Sequence, residues 1–182
     1  MTPRNKSRLT LLAVVLLFAA PLLVAMLLNA QGWHPQKTRN SGTLVEPPRD
    51  INAVPLRLAD GTGLIWRDPQ WQWTLLALPG AQCASHCRER LDEVLRMRLT
   101  LGRNAGRIRV VYVGPPLPAE MVAARAPLMA GSDTSNAFAD YRARGDDSLA
   151  LALVDPNGNL MMRYAEGYVA LGLRDDVQRV FH

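Results

Sequence analysis

The stretch from residue 73 to residue 103 constrains the fold of this chain most, because it joins an apolar strand pattern, two cysteines and a helical pattern. Residues 73–78 form the kind of short apolar run that lies in the middle of a sheet, and a Pro-Gly pair ends it. Cys83 and Cys87 follow. From residue 88 to residue 99, charged and apolar residues alternate at three- and four-residue steps, which predicts an amphipathic helix. The sequence thus places two thiols between a buried strand and a helix.

The two cysteines are the candidate catalytic residues. Free backbone N–H groups at the start of a helix stabilise a thiolate, so a thiol placed there is reactive. Cys83 and Cys87 form a C-x3-C pair that an oxidising compartment would close to a disulfide. Because residues i and i+4 of a regular helix lie near the upper limit of disulfide Cα separation, we expect Cys83 in the loop before the helix. Cys83 would then be the attacking thiol and Cys87 the resolving one.

A purely structural disulfide is the alternative for this pair. Closing so short a loop gains little entropy, so the residues favour redox or metal chemistry over a structural bridge. A Ser-His-Asp constellation, a carboxylate pair and a phosphate-binding loop are all missing from the sequence pattern, so a rival enzyme class is not indicated.

Residues 9–28 form a run of twenty residues without a charged side chain, long enough to cross a bilayer core of about 30 Å. The run predicts one transmembrane helix, in which Pro21 is tolerated. A cleaved signal peptide is the alternative, but its apolar core would span only about 7 to 15 residues. Residues 29–31 also match a cleavage site poorly, which favours an uncleaved anchor.

Basic residues ahead of the apolar run predict its orientation. The net charge is +5, and Arg4, Lys6 and Arg8 supply three of those charges, which leaves +5 − 3 = +2 for the remaining residues. The positive-inside rule keeps these three residues in the cytoplasm and places the rest of the chain in the periplasm, outside the inner membrane. A remaining charge of +2 is too small to indicate a nucleic-acid partner.

The chain divides into four predicted segments: a cytoplasmic N-terminus (1–8), the transmembrane helix (9–28), a polar, proline-containing tether (29–50) and a folded domain (51–182). Trp33 in the tether suits the lipid headgroup region. Within the domain we predict a hairpin over residues 54–66, strands over 73–78, 107–114, 149–154 and 159–164, and helices over 88–99, 119–129, 136–144 and 172–181. This order of elements predicts an α/β domain of thioredoxin-like fold with an N-terminal β-hairpin extension.

The single anchor, the C-x3-C loop after a strand, the later Asp-Pro-Asn-Gly turn at residues 155–158 and the final helix resemble the Sco (SenC) family over residues 9–182. Sco proteins are membrane-tethered, thioredoxin-like factors that handle copper for cytochrome c oxidase. The resemblance implies that Cys83 and Cys87 bind copper together with a histidine shortly before the strand that leads to the turn. Here residues 145–148 contain no histidine, and Arg88 replaces the proline that usually follows the second cysteine.

The missing histidine changes the expected metal chemistry. Two thiolates suit Cu(I), whereas Cu(II) prefers added nitrogen or oxygen ligands. The chain has three histidines, His34 in the tether, His86 in the cysteine loop and His182 at the terminus. His86 is the candidate third metal ligand, or a cation that raises the thiolate fraction, and the alternative is an exposed loop histidine. Asp147 is a weaker replacement ligand.

These observations leave the function open between alternatives. The resemblance implies a role in respiratory oxidase assembly, with the cysteine pair acting as a thiol-disulfide reductant or as a Cu(I) carrier. The partner would be an oxidase subunit or another copper or thiol assembly factor. The alternative is a redox-inactive docking module of the same fold that serves as an assembly scaffold.

Overall fold

The computed structural model describes residues 3–31 and 40–181. The chain separates into two units, Met1–Arg39 and Asn40–His182. The first unit contains helix α1, Pro3–Ala30, with Pro21 inside it. Its segment Ala13–Ala30 is long and apolar enough to cross a membrane. The predicted anchor is therefore helical.

The second unit contains one seven-stranded sheet with strand order β1-β7-β6-β3-β4-β5-β2. Its strands are β1 Thr43–Asp50, β2 Arg57–Leu58, β3 Trp73–Pro79, β4 Ile108–Val113, β5 Met129–Ser132, β6 Leu149–Val154 and β7 Asn159–Tyr164. Its α-helices are α2 Ser85–Thr100, α3 Ala119–Ala123 and α4 Ala170–Arg179. Strands β3, β4 and β5 run parallel, and the other neighbouring pairs are antiparallel. This is the predicted α/β architecture, with a parallel β3-α2-β4 unit that carries the cysteines.

Strand β3 occupies the centre of the sheet and packs against a different apolar layer on each face. Leu75 and Ala77 point into the layer that contains both cysteines and the buried side of α2. Leu76 and Leu78 point into the opposite layer with Trp66 and Phe138. Successive side chains of a strand point to opposite faces, so a strand buried on both faces needs the continuous apolar run found here.

Residues 43–50, assigned to the tether from the sequence, form an edge strand instead. β1 pairs with β7 from Thr43↔Arg163 to Asp50↔Asn159. Its exposed and half-buried residues do not alternate regularly, and Pro47 and Pro48 lie within it, so its sequence lacks the usual strand signal. Proline is tolerated at a sheet edge, where the missing N–H group needs no partner strand.

The other predicted elements differ mainly in length. The hairpin over residues 54–66 keeps one bridge, Arg57↔Gly63. Two hydrogen bonds flank it, from the Leu58 N–H group to the Thr62 carbonyl oxygen and from the Leu64 N–H group to the Leu56 carbonyl oxygen. The predicted helix 119–129 stops at Ala123, and β5 follows it. The predicted helix 136–144 contains only the 3-10 turn Ala139–Tyr141. These segments are short and weakly periodic, so pairing with neighbouring strands, rather than local propensity, decides their structure.

Candidate redox site

The cysteines lie at the carboxyl end of the central strand. β3 ends at Pro79, and α2 begins at Ser85. Cys83 therefore lies in the connecting loop, as expected, and Cys87 is the third residue of the helix. The two are joined in a disulfide with a Cα–Cα distance of 5.0 Å. The short spacing is accommodated because only one of the two cysteines is helical.

The two sulfurs differ in their access to solvent. Cys83 is 9% exposed, whereas Cys87 is fully buried at 0% in the apolar layer beneath α2. The attacking role predicted for Cys83 requires an accessible residue, but its loop is held close to the protein. Part of this restraint is Arg88, whose Nε donates to the Cys83 carbonyl oxygen at 3.0 Å. Of the two cysteines, Cys83 is still the more accessible to an incoming thiol, because Cys87 has no exposed surface.

The loop formed by residues 145–148 holds the cysteine loop in place. The Gly80 N–H group donates to the Ser148 carbonyl oxygen at 3.1 Å, and the Gln82 N–H group donates to the Asp146 carbonyl oxygen at 2.9 Å. A Cβ atom at Gly80 would lie 2.1 Å from the Gly145 carbonyl oxygen, so the two backbones approach as closely as only glycine allows. The Glu166 side chain accepts the Gly145 N–H group at 2.8 Å.

Asp147 in this loop accepts three hydrogen bonds from the first turn of α2. Its Oδ1 accepts the N–H groups of Ala84 at 2.7 Å and Cys87 at 3.1 Å, and its Oδ2 accepts that of His86 at 3.0 Å. Desolvation is the largest single influence on the pKa of this carboxyl and raises it. The three N–H groups and His86 together outweigh desolvation, so the pKa of Asp147 lies below its usual value. Asp147 is therefore an ionised helix cap beside the disulfide.

Sequence reasoning considered Asp147 only as a weak metal ligand and missed this capping role. Capping residues are ordinarily sought just before a helix, whereas Asp147 lies 60 residues after Cys87 in the chain. Local sequence contains no signal for a cap contributed from such a distance. The link between the two loops follows from the sheet order of the structure, in which the segment before β6 lies beside the end of β3.

His86 is exposed and contacts the same loop. Its Nδ1 lies 2.9 Å from the Asp147 carbonyl oxygen. A carbonyl oxygen only accepts, so Nδ1 carries the proton and Nε2 is left as the nitrogen that could bind a metal. His34 and His182 lie outside the described residues.

Within residues 3–31 and 40–181, no group of three or more His, Cys, Asp or Glu side chains is arranged to hold a metal ion. The sulfurs of Cys83 and Cys87 are bonded to each other, and a metal would need both as free thiolates. The Asp147 carboxylate is engaged by N–H groups. The donor set therefore fits low-coordinate Cu(I) after reduction and does not fit Cu(II), which prefers further nitrogen or oxygen ligands.

An apolar cavity of about 220 Å³ opens at the same edge of the sheet, beyond the carboxyl end of β4. Tyr112 lines it and donates its hydroxyl to the Pro115 carbonyl oxygen at 2.9 Å. Burial raises the pKa of Tyr112 to about 12, despite the opposing charges of Arg142 and Arg88. The Tyr112 hydroxyl is thus neutral at physiological pH, and it fixes the turn after β4.

Comparison with solved structures supports the fold. Yeast Sco1 with copper bound matches with a TM-score of 0.57 and 17% identity, over 80% of this chain and 94% of that chain. Apo Sco1 from Thermus thermophilus matches with a TM-score of 0.53 and 18% identity, over 81% and 99%. A mutant of Xanthomonas campestris peroxiredoxin Q matches with a TM-score of 0.51 and 15% identity, over 79% and 97%. At these identities the likeness establishes a shared thioredoxin-like fold, which both copper proteins and peroxide reductases use.

No curated protein sequence matches the chain at a significant level. A family model does match, over residues 73–182, which is more than half of the chain. This region begins at the central strand β3 and includes the disulfide, the Asp147 loop and α4. The chain therefore belongs to the family described as the transmembrane-like, thioredoxin-like, C-terminal domain.

Proposed function

We propose that this protein is a membrane-tethered thiol-disulfide reductant whose active pair is Cys83 and Cys87. The observation that carries the proposal is the disulfide itself, closed between a loop residue and the first turn of α2 at the end of the central strand. In this placement Cys83 keeps 9% of its surface exposed and Cys87 is fully buried. A dithiol that exchanges with partners needs that asymmetry.

The reaction follows from the geometry. In the reduced protein, the Cys83 thiolate attacks a disulfide sulfur of the partner, and the partner's second sulfur leaves as a thiolate that takes a proton from solvent. The buried Cys87 thiol loses its proton and attacks the Cys83 sulfur, which releases the partner's other thiol. The partner gains two electrons and two protons, and the Cys83–Cys87 disulfide is restored.

We place this reaction on the periplasmic side of the inner membrane, in the assembly of cytochrome c oxidase. The basic residues Arg4, Lys6 and Arg8 ahead of the apolar segment support this orientation. The shared fold with Sco1 structures, including one with copper bound, supports a setting in which thiols and copper are handled together. The partner would be an oxidase subunit or another copper or thiol assembly factor.

Trapping the mixed disulfide tests the exchange reaction. In Cys87→Ser, the intermediate between Cys83 and a partner cannot be resolved, so an adduct should accumulate on a non-reducing gel of cells. Cys83→Ser should form no adduct, and oxidase activity in the membranes should fall in both variants. If the two variants and the double Ser variant form no adducts and support normal oxidase activity, the protein is a redox-inactive docking scaffold.

A fused reporter tests the orientation. A reporter active only outside the cytoplasm should be active when joined after Phe181, because the basic N-terminus stays inside. The control is the same fusion with Arg4, Lys6 and Arg8 replaced by Glu, which should lower the reporter's activity. An inactive wild-type fusion together with an active cytoplasmic reporter at the same position would contradict the periplasmic assignment.

Cu(I) transport is the second candidate function. The reduced pair would offer two soft thiolates from positions whose Cα atoms lie 5.0 Å apart, and Cu(I) accepts such low coordination. In this role Cu(I) is cargo, held by Cys83 and Cys87 once both are reduced. Reduction of the disulfide would therefore precede copper uptake.

A further inference from the structure

The geometry points to Asp147 as a positioning residue that protects the Cys83–Cys87 disulfide against reduction, by occupying the N–H groups of α2 that would otherwise stabilise charge on sulfur. Its carboxylate accepts the N–H groups of Ala84, His86 and Cys87. The inference rests on the proposed function and deepens it, because a disulfide that is hard to reduce corresponds to a dithiol that is a stronger reductant.

Opening of the disulfide creates charge at a defined atom. An incoming thiolate attacks the more exposed Cys83 sulfur, the S–S bond breaks, and its electron pair passes to the Cys87 sulfur. That sulfur carries the negative charge that develops as the bond breaks, and it keeps this charge in the reduced protein as long as Cys87 is ionised. It belongs to the residue whose own N–H group donates to Asp147 Oδ1 at 3.1 Å.

Two effects of Asp147 both disfavour negative charge on the Cys87 sulfur. Unengaged N–H groups in the first turn of a helix would stabilise the departing sulfur, but three of them already donate to the carboxylate. The carboxylate is also a negative charge beside the position where negative charge appears, which disfavours it further. Reduced protein with an ionised Cys87 is therefore disfavoured, which shifts the equilibrium toward the oxidised form, and opening of the disulfide is slowed.

Backbone hydrogen bonds between two loops fix the position of the Asp147 carboxylate. The loops at residues 80–82 and 145–148 are joined by the Gly80–Ser148 and Gln82–Asp146 backbone hydrogen bonds. Residue 147 cannot move away from α2 unless these bonds break. The same loop connection would keep the carboxylate beside Cys87 in the reduced protein.

Asp146 provides a matched control within the same loop. Its side chain is exposed, and its contact with the cysteine loop is made by its backbone oxygen, which accepts the Gln82 N–H group. Asp146→Asn therefore removes one negative charge from this loop without releasing the first turn of α2. Any difference between the two Asn variants measures the effect of the engaged N–H groups and of the close carboxylate.

The experiment is equilibration of the full chain in detergent with reduced and oxidised dithiothreitol. One dithiothreitol molecule attacks Cys83, then its second thiol closes its own ring and releases Cys83, so two electrons pass to the protein dithiol. In Asp147→Asn, we expect the equilibrium constant for reduction to rise about tenfold, a shift of about 30 mV toward less negative potential. The rate of disulfide opening should also rise in Asp147→Asn. Asp146→Asn should change the equilibrium constant less than twofold.

A shift below twofold in a folded Asp147→Asn variant, or an equal shift in Asp146→Asn, would overturn the inference. A purely structural cap would lower the melting temperature and leave the potential unchanged. If Asp147→Asn does not fold by circular dichroism, Asp147→Ser replaces it, because serine caps a helix without charge. The same tenfold rise in the equilibrium constant for reduction is expected in Asp147→Ser. None of these readouts requires a partner protein, so their failure is distinguishable from failure to trap an adduct in cells.

Discussion

Asp147 and Asp176 perform similar structural tasks in two regions of the domain. Each accepts backbone N–H groups from a segment far away in the sequence, Asp147 from the first turn of α2 and Asp176 from Ser41 and Gly42 at 2.8 and 2.9 Å. Asp176 is 2% exposed, while Asp147 is half-buried beside a disulfide. Asp176 therefore secures the chain where β1 begins, and Asp147 caps α2 beside the disulfide.

The surroundings of Asp176 are consistent with a structural role. The carboxylate also accepts from Arg179 Nη1 at 2.9 Å and from the Tyr164 hydroxyl at 3.3 Å. Burial, reinforced by this carboxylate, raises the pKa of Tyr164 above its ordinary value, so its hydroxyl stays protonated and donates. The arrangement joins α4, β7 and the start of β1, which is the edge strand that follows the anchor unit.

The largest expected effect is the loss of stability in Asp176→Ala. The buried Gly42 N–H group and Tyr164 hydroxyl and the part-buried Ser41 N–H group would lose their acceptor. A buried group left unpaired costs about 1 to 3 kcal/mol, so we expect the free energy of unfolding to fall by about 3 kcal/mol. Urea unfolding of the full chain in detergent measures this free energy of unfolding. Asp175→Ala is the control and should change stability by less than about 0.5 kcal/mol. Equal effects of the two substitutions would show that Asp176 does not hold β1.

The sequence predicted the structural elements that depend on local residue patterns. Strands β3, β4, β6 and β7 were predicted from their apolar runs and turns, and α2 from its three- and four-residue periodicity. In each case the burial pattern depends only on residues that are close in the sequence. The placement of Cys83 before the helix followed from disulfide geometry.

The parts that were missed depend on distant partners. β1 carries Pro47 and Pro48 and lacks regular alternation, and β5 is the four-residue segment Met-Ala-Gly-Ser. Asp147 and Asp176 gave no local signal, since their partners lie 60 to 63 and 134 to 135 residues away. A single sequence contains the residues of such contacts but not their pairing.

A smaller effect concerns the pH dependence of the stabilisation by Asp147. The pKa of Asp147 is lowered in the folded protein, because its helix N–H bonds outweigh desolvation, so ionised Asp147 contributes stability above its ordinary value of 3.8. That contribution is lost as pH falls through the lowered pKa. Wild type should therefore be more stable than Asp147→Asn at neutral pH, and the gap should narrow below pH 3.8. Unfolding midpoints measured from neutral to acidic pH test this, and a constant gap would contradict it.

The smallest expected effect is that of His86→Ala on copper binding. The His86 Nδ1 donates to the Asp147 carbonyl oxygen, and its exposed ring lies outside the apolar layer that contains both sulfurs. Reduced protein should therefore bind one Cu(I) through Cys83 and Cys87, hold Cu(II) weakly, and keep its Cu(I) affinity within about twofold when His86 is replaced. Competition with a chromogenic Cu(I) chelator measures the affinity, and Cys83→Ser is the control that should abolish binding. A tight Cu(II) complex with nitrogen ligation that disappears in His86→Ala would show instead that the histidine turns toward the thiols on reduction. Because the imidazole would then have to leave the Asp147 carbonyl oxygen, that result would also show that reduction rearranges the loop at residues 145–148.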